Sequence, residues 1–374
     1  MGPEVAITPY IRPGFALSRQ VAERAGASAV VLAKHGLVTW GETQEELYGR
    51  TLELVARAEA YLAERECTTP AVAPDLDAGT TESLLLTLRG LLSRDGRRIL
   101  HVDRTQRVFA DRSDVDLVAT AARATPDHIL RIGARSLVVH DSVDVALAVA
   151  AFEEGYGDYF TRHRHRLPPE LEMLSPLPRV VLVPGLGCVA AGPDARAARV
   201  NAEIAARSHL VTARVLDAFG AVDWLHERDI FDFDYWPLEL AKLQAAPPPR
   251  EFSGHVAIVA GAGNALGYAV ATRLARDGAH LVLSGGDVDR LRQIAAAVPA
   301  ETSLIAEGYP IATAIAAFGG VDVFIALDPM TLGDQHGLRT TFGRQSWGGV
   351  VVGLDMARGA TVDLGQAFGA GVRT

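Results

Sequence analysis

Short apolar runs alternate with longer segments of helical periodicity along this chain. Residues 28–33 and 37–40 are two such runs, and each predicts a buried strand. Thr43 follows the second run, and Glu46 stands three residues later, which is the spacing of a helix-capping box. The segment after this cap repeats apolar residues at helical spacing. The pattern therefore predicts strand, turn, strand and helix in a first block, residues 1–66.

A second block, residues 67–245, begins with a linker rich in Thr, Pro, Ala and Asp and ends before the proline run at 247–249. Its apolar runs are separated by amphipathic stretches, so we expect a second α/β unit. The predicted elements are strands at 98–102, 136–140 and 180–183 and a helix at 144–160.

A third block, residues 250–374, alternates strands and helices more regularly. Such alternation predicts a parallel, doubly wound sheet. The predicted strands are 255–259, 279–283, 321–326 and 349–354, and the predicted helices are 268–277 and 288–297.

An internal repeat is suggested by two similar segments, residues 30–41 and 180–192. Each reads as a strand, a tight turn, a second short strand, a glycine and then a helix. The alignment needs a gap of one residue, so duplication remains a hypothesis. If it holds, His35 corresponds to Leu186, and the second copy has no metal ligand at that position.

Composition narrows the functional classes. The chain has 374 residues, a net charge of −9 and 49% hydrophobic residues, which fits globular domains and argues against disorder, nucleic-acid binding and an anionic membrane surface. Two cysteines exclude a disulfide framework. We see neither a signal peptide nor an apolar run of about 18 residues, so we expect a cytoplasmic protein without a membrane span.

A glycine-rich turn connects the first strand and the first helix of the third block. Gly261, Gly263 and Gly267 stand where a backbone can approach a pyrophosphate and a helix N-terminus can bind it. The alternative is a sheet that keeps its turn glycines without binding a nucleotide. Asp287 follows the second strand and is the candidate ribose ligand, although an N-cap role for the next helix explains it equally well.

His35 lies at a strand end before Gly36, where a metal ligand could face an open cleft. A zinc site needs three or four ligands, so a lone histidine in a turn is the simpler interpretation. His163 and His165 have His-x-His spacing, but three arginines flank them and would oppose a cation. We interpret that segment as a solvated basic patch.

The third block resembles the short-chain dehydrogenase/reductase family, whose phosphate loop Thr-Gly-x-x-x-Gly-x-Gly corresponds here to Ala260, Gly261, Ala265 and Gly267. The family implies NAD or NADP as cofactor. Two positions depart from its pattern, because Ala replaces both the Thr and the middle Gly. Its catalytic Tyr-x-x-x-Lys pair is also missing, since no Tyr follows Tyr309 and no Lys follows Lys242.

The first block is similar to the C-terminal part of a class II aldolase/adducin domain, through Pro9 to Phe15 and Leu32 to Gly41. Together with Thr125 to His128, Pro178 to Gly185 and Phe231 to Glu239, the whole chain resembles bifunctional aldolase/short-chain dehydrogenases of the rhamnulose-phosphate aldolase type. The resemblance implies a partial aldolase-like α/β domain, a middle α/β domain and a C-terminal Rossmann-like parallel sheet.

That family cleaves a ketose 1-phosphate such as rhamnulose 1-phosphate in a zinc-dependent retro-aldol reaction, coupled to NAD(P)-linked oxidoreduction of an aldehyde or alcohol. Its zinc is held by a His-x-His pair and a third His, with a Glu as acid/base. His35 matches the third His, and the other ligands belong to a segment upstream of Met1. We therefore expect a truncated member, with no catalytic residue of its own, an incomplete zinc site and no activity alone.

Three alternatives remain, one of which is a decaying gene product without a function. The chain could be a non-catalytic dinucleotide-binding protein, or it could be the C-terminal part of a split aldolase that a separately encoded N-terminal segment completes. In both cases we expect small-molecule ligands and no nucleic acid. A domain lacking neighbouring strands should expose edges and apolar surface in the first block, so a homo-oligomer is also expected.

Overall fold

A computed structural model describes residues 2–65, 73–120, 123, 125–140, 144–244, 247–300, 303–306, 308–327, 335–345, 349–355 and 360–363. Three sheets follow one another along the chain. Their order matches the three predicted blocks, whose exact boundaries stay predictions.

The first block is a small three-stranded sheet with two helices. Its elements are β1 (Val5–Thr8), α1 (Phe15–Ala22), β2 (Ala29–Leu32), β3 (Gly36–Thr39) and α2 (Gln44–Ala63). β1 runs parallel to β2, and β2 forms an antiparallel hairpin with β3. The predicted cap is confirmed, because the Thr43 side chain accepts a hydrogen bond from the Glu46 amide at 3.1 Å.

The second block is a four-stranded sheet, order β4-β7-β6-β5, surrounded by helices. β5 and β6 are parallel, and the other neighbours are antiparallel. Its elements are α3 (Ala78–Leu92), β4 (Ile99–Asp103), α4 (Arg107–Ala110), α5 (Val115–Thr120), α6 (Pro126–Ile132), β5 (Leu137–Val138), α7 (Val145–His163), β6 (Val180–Val183), β7 (Gly187–Gly192), α8 (Ala195–Phe219), α9 (Glu227–Asp234) and α10 (Pro237–Gln244).

The third block is the predicted doubly wound sheet. Its strand order is β10-β9-β8-β11-β12-β13, parallel throughout except for β13. The elements are β8 (Val256–Ala260), α11 (Ala265–Arg276), β9 (His280–Ser284), α12 (Val288–Ala297), β10 (Ser303–Ala306), α13 (Pro310–Phe318), β11 (Val323–Ala326), α14 (Gln335–Gln345), β12 (Val350–Asp355) and β13 (Ala360–Asp363). The glycine loop therefore lies at the first βα turn of a Rossmann-like sheet.

Side-chain alternation along β8 shows how this sheet is covered on both faces. Val256 and Ile258 belong to the same apolar cluster as side chains of α13, α14 and α3 of the second block, whereas Ala257 and Val259 share a cluster with side chains of α11 and α12. The cluster on the first of these faces continues into β4, β6 and β7. The second and third blocks therefore share one apolar core.

A buried ion pair crosses this shared core. Arg89 of α3 and Asp322, just before β11, are both almost fully excluded from solvent, and their side chains meet at 2.5 Å. Arg89 also donates to the carbonyl oxygens of Arg98 and Gly254. The second block is thereby tied to the edge from which β8 and β11 begin.

The structure supports the repeat hypothesis. β2 and β3, like β6 and β7, are joined by three-residue turns that begin after Leu32 and Val183. The middle residue of each turn has a positive φ, 60° at Lys34 and 79° at Gly185. Each hairpin pairs in parallel with a preceding strand and leads into a helix capped by Thr43 or Asp194. Leu186 thus takes the position of His35.

Apolar side chains are exposed on the first block, as expected from the sequence. Phe15 is 86% exposed, Ile7 66% and Tyr48 64%. Tyr10, which follows β1, packs against the aromatic cluster around α9. Within the described residues, no helix has the length and apolar character needed to cross a bilayer.

Candidate functional site

The glycine loop turns sharply at the end of β8. Gly261 has φ of +78°, a conformation that side chains disfavour. The amides of Gly261 and Ala262 both donate to the carbonyl oxygen of Ser284, at 2.8 and 3.0 Å. These bonds fix the beginning of the loop against the end of β9.

Gly263 and Gly267 have different roles. A Cβ at Gly267 would stand 2.3 Å from the carbonyl oxygen of Ala262, so this glycine allows α11 to pack closely on the loop. A Cβ at Gly263 would meet no atom within 4 Å, so this position is open. Asn264 caps α11 by accepting a hydrogen bond from the Gly267 amide at 2.9 Å.

The loop stands beside the point where the strand order reverses. β8 lies between β9, reached through α11, and β11, which enters the sheet on the other side. In doubly wound sheets, ligands bind in the crevice at this switch point. The Asn264 cap takes the Gly267 amide, whereas the Ala265 and Leu266 amides of the first turn of α11 have no intrahelical acceptor by geometry and carry the positive end of the helix dipole.

These residues fit the pyrophosphate of a dinucleotide. The positive φ of Gly261, the open space at Gly263 and the helix N-terminus together form a cradle for an anion. Ala265, at the family's middle glycine position, is exposed on the first turn of α11 and adds a methyl group where the family has none.

Asp287 lies in the connection after β9, directly before α12, and acts as the cap of that helix. Its Oδ1 accepts a hydrogen bond from the Arg290 amide at 2.9 Å, and the residue is the N-cap of α12. The carboxylate is exposed. The cap interpretation is confirmed, and a ribose contact stays a prediction.

His35 ends the turn between β2 and β3. Its Nδ1 is buried and has no hydrogen-bond partner among the described residues. The preceding residue, Lys34, forms an ion pair with Asp223 at 2.6 Å, which holds the turn against the segment before α9.

Zinc does not fit the described residues by themselves. Within the ranges given above, no group of three or more His, Cys, Asp or Glu side chains could hold a metal ion. His35 is thus a single candidate ligand with a buried, unpartnered nitrogen.

The His-x-His segment is a paired basic patch. His163 and Arg162 contact the carboxylate of Glu227, at 2.8 and 3.0 Å, and Arg166 binds Asp232. These acids belong to α9, so the patch joins the end of α7 to that helix. The expectation of a freely solvated patch is therefore wrong in part, because these side chains are paired with α9 and the His163 side chain is largely buried.

Sequence analysis missed two features of these sites. Asn264 was not recognised as the N-cap of α11, although an Asn directly before a helix is a common N-cap signal. The pairing of Lys34 with Asp223 had no sequence signal, because the two residues are far apart in the chain.

Two family models match the chain. "Class II Aldolase and Adducin N-terminal domain" matches residues 1–62, and "Aldolase class II, second domain" matches residues 79–243. A relative from Bacillus subtilis (strain 168), named "Uncharacterized oxidoreductase YuxG", is 30% identical over 312 residues. The match covers 77% of this chain and 45% of the relative, so the chain spans less than half of that protein's length.

Solved structures of dehydrogenases also match part of the chain. L-sorbose reductase from Gluconobacter frateurii, complexed with NADPH and L-sorbose, is 20% identical, with 28% of this chain and 54% of the reductase covered and a TM-score of 0.21. A citronellol catabolism dehydrogenase from Pseudomonas aeruginosa PAO1 is 22% identical, covers 33% and 66%, and has a TM-score of 0.22. TM-scores this low support no argument about this chain.

The order of the domains agrees with the resemblance found in the sequence. The two aldolase family models precede a doubly wound sheet with a glycine-rich first turn, and the bacterial relative extends across most of this chain. The chain therefore belongs to the family that joins class II aldolase domains to a short-chain-dehydrogenase-like domain.

Proposed function

We propose that this chain binds a nicotinamide dinucleotide at the glycine loop and that, by itself, it catalyses neither of the two family reactions. The observation that carries the proposal is the loop at the switch point of the sheet, with Gly261 at positive φ and Gly263 open to a ligand. The pyrophosphate would lie against the open backbone at Gly263 and the N-terminus of α11.

The claim that this chain does not catalyse hydride transfer rests on the absence of the side chains that such transfer requires. A bound nicotinamide supplies a site that gives or takes a hydride. Transfer to a carbonyl also requires a proton donor, which the family provides with a Tyr beside a Lys. The printed sequence has no Lys after Lys242 and no Tyr after Tyr309, so nothing in this block corresponds to that pair.

Binding can be measured by titrating the chain with NADH and NADPH and following nicotinamide fluorescence. We expect saturable binding that Gly263→Glu weakens at least tenfold, because the added carboxylate would repel the pyrophosphate. The position has room for a Cβ, so folding should be kept. Gly49→Glu is the matched control, since it adds the same charge at an open position of α2.

Two results would refute this assignment. One is the absence of saturable binding for both nucleotides, and the other is equal affinity in the Gly263→Glu and Gly49→Glu variants. The claim about catalysis is tested by incubating the same protein with rhamnulose 1-phosphate or with an aldehyde and NADH. We expect no turnover above the rate without protein.

The role of Asp287 can be separated from its cap. Asn is as good an N-cap as Asp, so Asp287→Asn should leave the stability of α12 almost unchanged. If the carboxylate binds the ribose hydroxyls, the variant should lose affinity for NADH and discriminate less against NADPH. Unchanged affinity for both nucleotides would assign Asp287 to capping alone.

A second candidate function rests on the buried, unpartnered Nδ1 of His35. We propose that a separately encoded aldolase segment docks on the first block and brings the remaining ligands to this histidine. The exposed apolar residues Phe15, Ile7 and Tyr48 offer a surface for such a segment. The family substrate would then be a ketose 1-phosphate.

This candidate predicts a complex that can be observed without any activity assay. A class II aldolase segment carrying the Glu and the His-x-His pair should co-elute with this chain in size-exclusion chromatography. The complex should bind one zinc ion per chain by titration, and His35→Ala should abolish that binding while the complex persists. Failure to co-elute would exclude the docking, and zinc binding unaffected by His35→Ala would exclude the histidine.

A further inference from the structure

A cavity in the second block has no assigned role. It has a volume of about 330 Å³ and lies among α6, α7, α9 and the segment that leads into β6. Arg179 lines it immediately before β6 begins, whereas the turn equivalent to the His35 turn lies at the other end of that strand. Of the described residues that line it, none is His35 or part of the glycine loop, although Trp224 of the wall directly follows Asp223, the partner of Lys34.

Most of the cavity wall is apolar, and part of it is aromatic. Ile129, Phe152, Leu177, Trp224 and Ile230 are among the lining residues. The volume falls within the range of sites for small organic molecules, about 300–1,000 Å³. Its walls would bury an apolar body of roughly the size of one aromatic ring and its substituents.

Charged groups lie at fixed positions in this wall. The Nη1 of Arg179 donates to the carbonyl oxygens of Leu130 and Arg131, at 2.9 and 3.0 Å. Asp234 accepts a hydrogen bond from the Tyr159 hydroxyl at 2.9 Å. Both side chains are oriented by protein groups, which is the preorganisation that a binding site needs.

Arg179 and Asp234 line the same cavity without closing on each other. In the described part of the chain, no direct ion pair joins them, and the bonds that orient them go to other groups. Two opposite charges in a partly buried space would normally pair. Their separation leaves room for a ligand that contacts both.

The charge balance favours an anion. Arg179 and the exposed Arg135 line the cavity with two guanidinium groups. Burial raises the pKa of Asp234 to about 6, although Arg179 and Arg135 oppose that rise. Glu227 also lines the wall, but its carboxylate is ion-paired with Arg162 and hydrogen-bonded to His163.

We propose that this cavity binds a small monocarboxylate that carries an aromatic or similar apolar body and a hydroxyl group near the acid. The carboxylate would bind the guanidinium of Arg179, whose planar donors match its geometry. The hydroxyl would donate to Asp234, and the body would pack against Phe152 and Trp224.

Four probes separate the parts of this proposal in calorimetric titrations of the full chain. They are 3-phenyllactate with all three features, 3-phenylpropionate without the hydroxyl, 3-phenylpropane-1,2-diol without the acid, and lactate without the ring. We expect 3-phenyllactate to bind most tightly. Each missing feature should weaken binding at least fivefold.

Variants at the rim test the charge without disturbing the core. Arg135→Gln should weaken 3-phenyllactate binding at least threefold, because Arg135 lines the cavity and is exposed. Arg131→Gln is the matched control, since its side chain is also exposed and does not line the cavity. Asp234→Asn keeps the side-chain shape and should remove most of the preference for 3-phenyllactate over 3-phenylpropionate.

Three outcomes would overturn the proposal. The first is that none of the probes binds at millimolar concentrations. The second is that the diol or lactate binds as tightly as 3-phenyllactate. The third is that Arg135→Gln and Arg131→Gln have the same affinity, which would mean that the ligand lies elsewhere.

Discussion

Replacing Arg89 by Met should destabilise both the second block and the Rossmann-like sheet. The side chain is fully buried, and it donates to Asp322, Gln345 and the carbonyl oxygens of Arg98 and Gly254. Met has a similar volume and cannot donate. The variant therefore removes the charge and its hydrogen bonds while largely preserving the packing.

The size of the expected loss depends on the partners that Asp322 keeps when Arg89 is removed. Burial opposes ionisation of Asp322, but the Arg89 guanidinium holds the pKa of that carboxyl below its usual value. Without Arg89, the carboxylate keeps the Val256 amide at 2.8 Å and a weaker contact with Arg97 at 3.3 Å. Removing one partner of a buried ion pair lowers the free energy of unfolding by about 3–5 kcal/mol. Because Asp322 keeps these two partners, we expect a loss near the lower end of that range.

Chemical denaturation and hydrogen exchange test this together. Arg89→Met should lower the free energy of unfolding by about 3 kcal/mol and should increase exchange in α3 and in β8. Arg94→Met is the control, because Arg94 is half exposed in its ion pair with Glu153, and such pairs contribute about 0–1 kcal/mol.

A double variant identifies the origin of the effect. If the loss comes from an uncompensated buried charge, adding Asp322→Asn to Arg89→Met should recover part of it, with a coupling energy of about 1–3 kcal/mol. A loss below about 1 kcal/mol in Arg89→Met, or faster exchange in α3 while β8 is unaffected, would refute the view that this pair holds the two blocks together.

Three further predictions concern buried groups and the repeated turns. Gly185→Ala should destabilise the chain by about 2 kcal/mol or more, because φ is +79° and the new Cβ would stand 2.3 Å from the Pro74 carbonyl oxygen. Lys34→Gly, at the equivalent position, should change stability by less than about 1 kcal/mol. Urea titrations measure both changes. Burial, with Arg123 nearby, lowers the pKa of His209 from 6.5 to about 3, so the unfolded chain binds the proton first and stability should fall as pH drops from about 6.5 towards 3. His209→Gln should remove much of this pH dependence, which is measured as the denaturant concentration at the midpoint of unfolding. Burial raises the pKa of the Cys188 thiol to about 12, so in a Cys67→Ser background a thiol reagent should react only at the rate of unfolding.

Much of the fold could be predicted because local patterns and final structure agree. The third block has fully buried strands such as β8 and β9, which read as short apolar runs, and amphipathic helices between them. The strands predicted at 255–259 and 279–283 each begin and end one residue before the observed β8 and β9. The hydrophobic pattern does not show which terminal residue forms hydrogen bonds to the neighbouring strand. β10 and β13 were not predicted.

Contacts between distant parts of the chain could not be predicted. Nothing in the sequence around Arg89 indicates that its guanidinium meets Asp322, which is 233 residues later. The cavity beside Arg179 likewise depends on α6, α7 and α9, whose relative positions no periodicity specifies. Local patterns indicate which residues are buried, but the partner of a buried charge is decided by tertiary packing.

The two hairpin turns show how a repeated scaffold can carry different chemistry. Both turns need a residue at positive φ, and the sequence meets that need with Lys34 in one copy and Gly185 in the other. The next residue is His35, with a buried Nδ1 that has no hydrogen-bond partner among the described residues, or Leu186, which is fully buried in the shared core. Because Leu186 contributes to packing, the second copy retains the turn as structure, and a metal ligand could not be restored there without leaving a polar ring in that core. Of the two copies, the first therefore holds the candidate metal ligand, His35, at the position that the second copy fills with an apolar core residue.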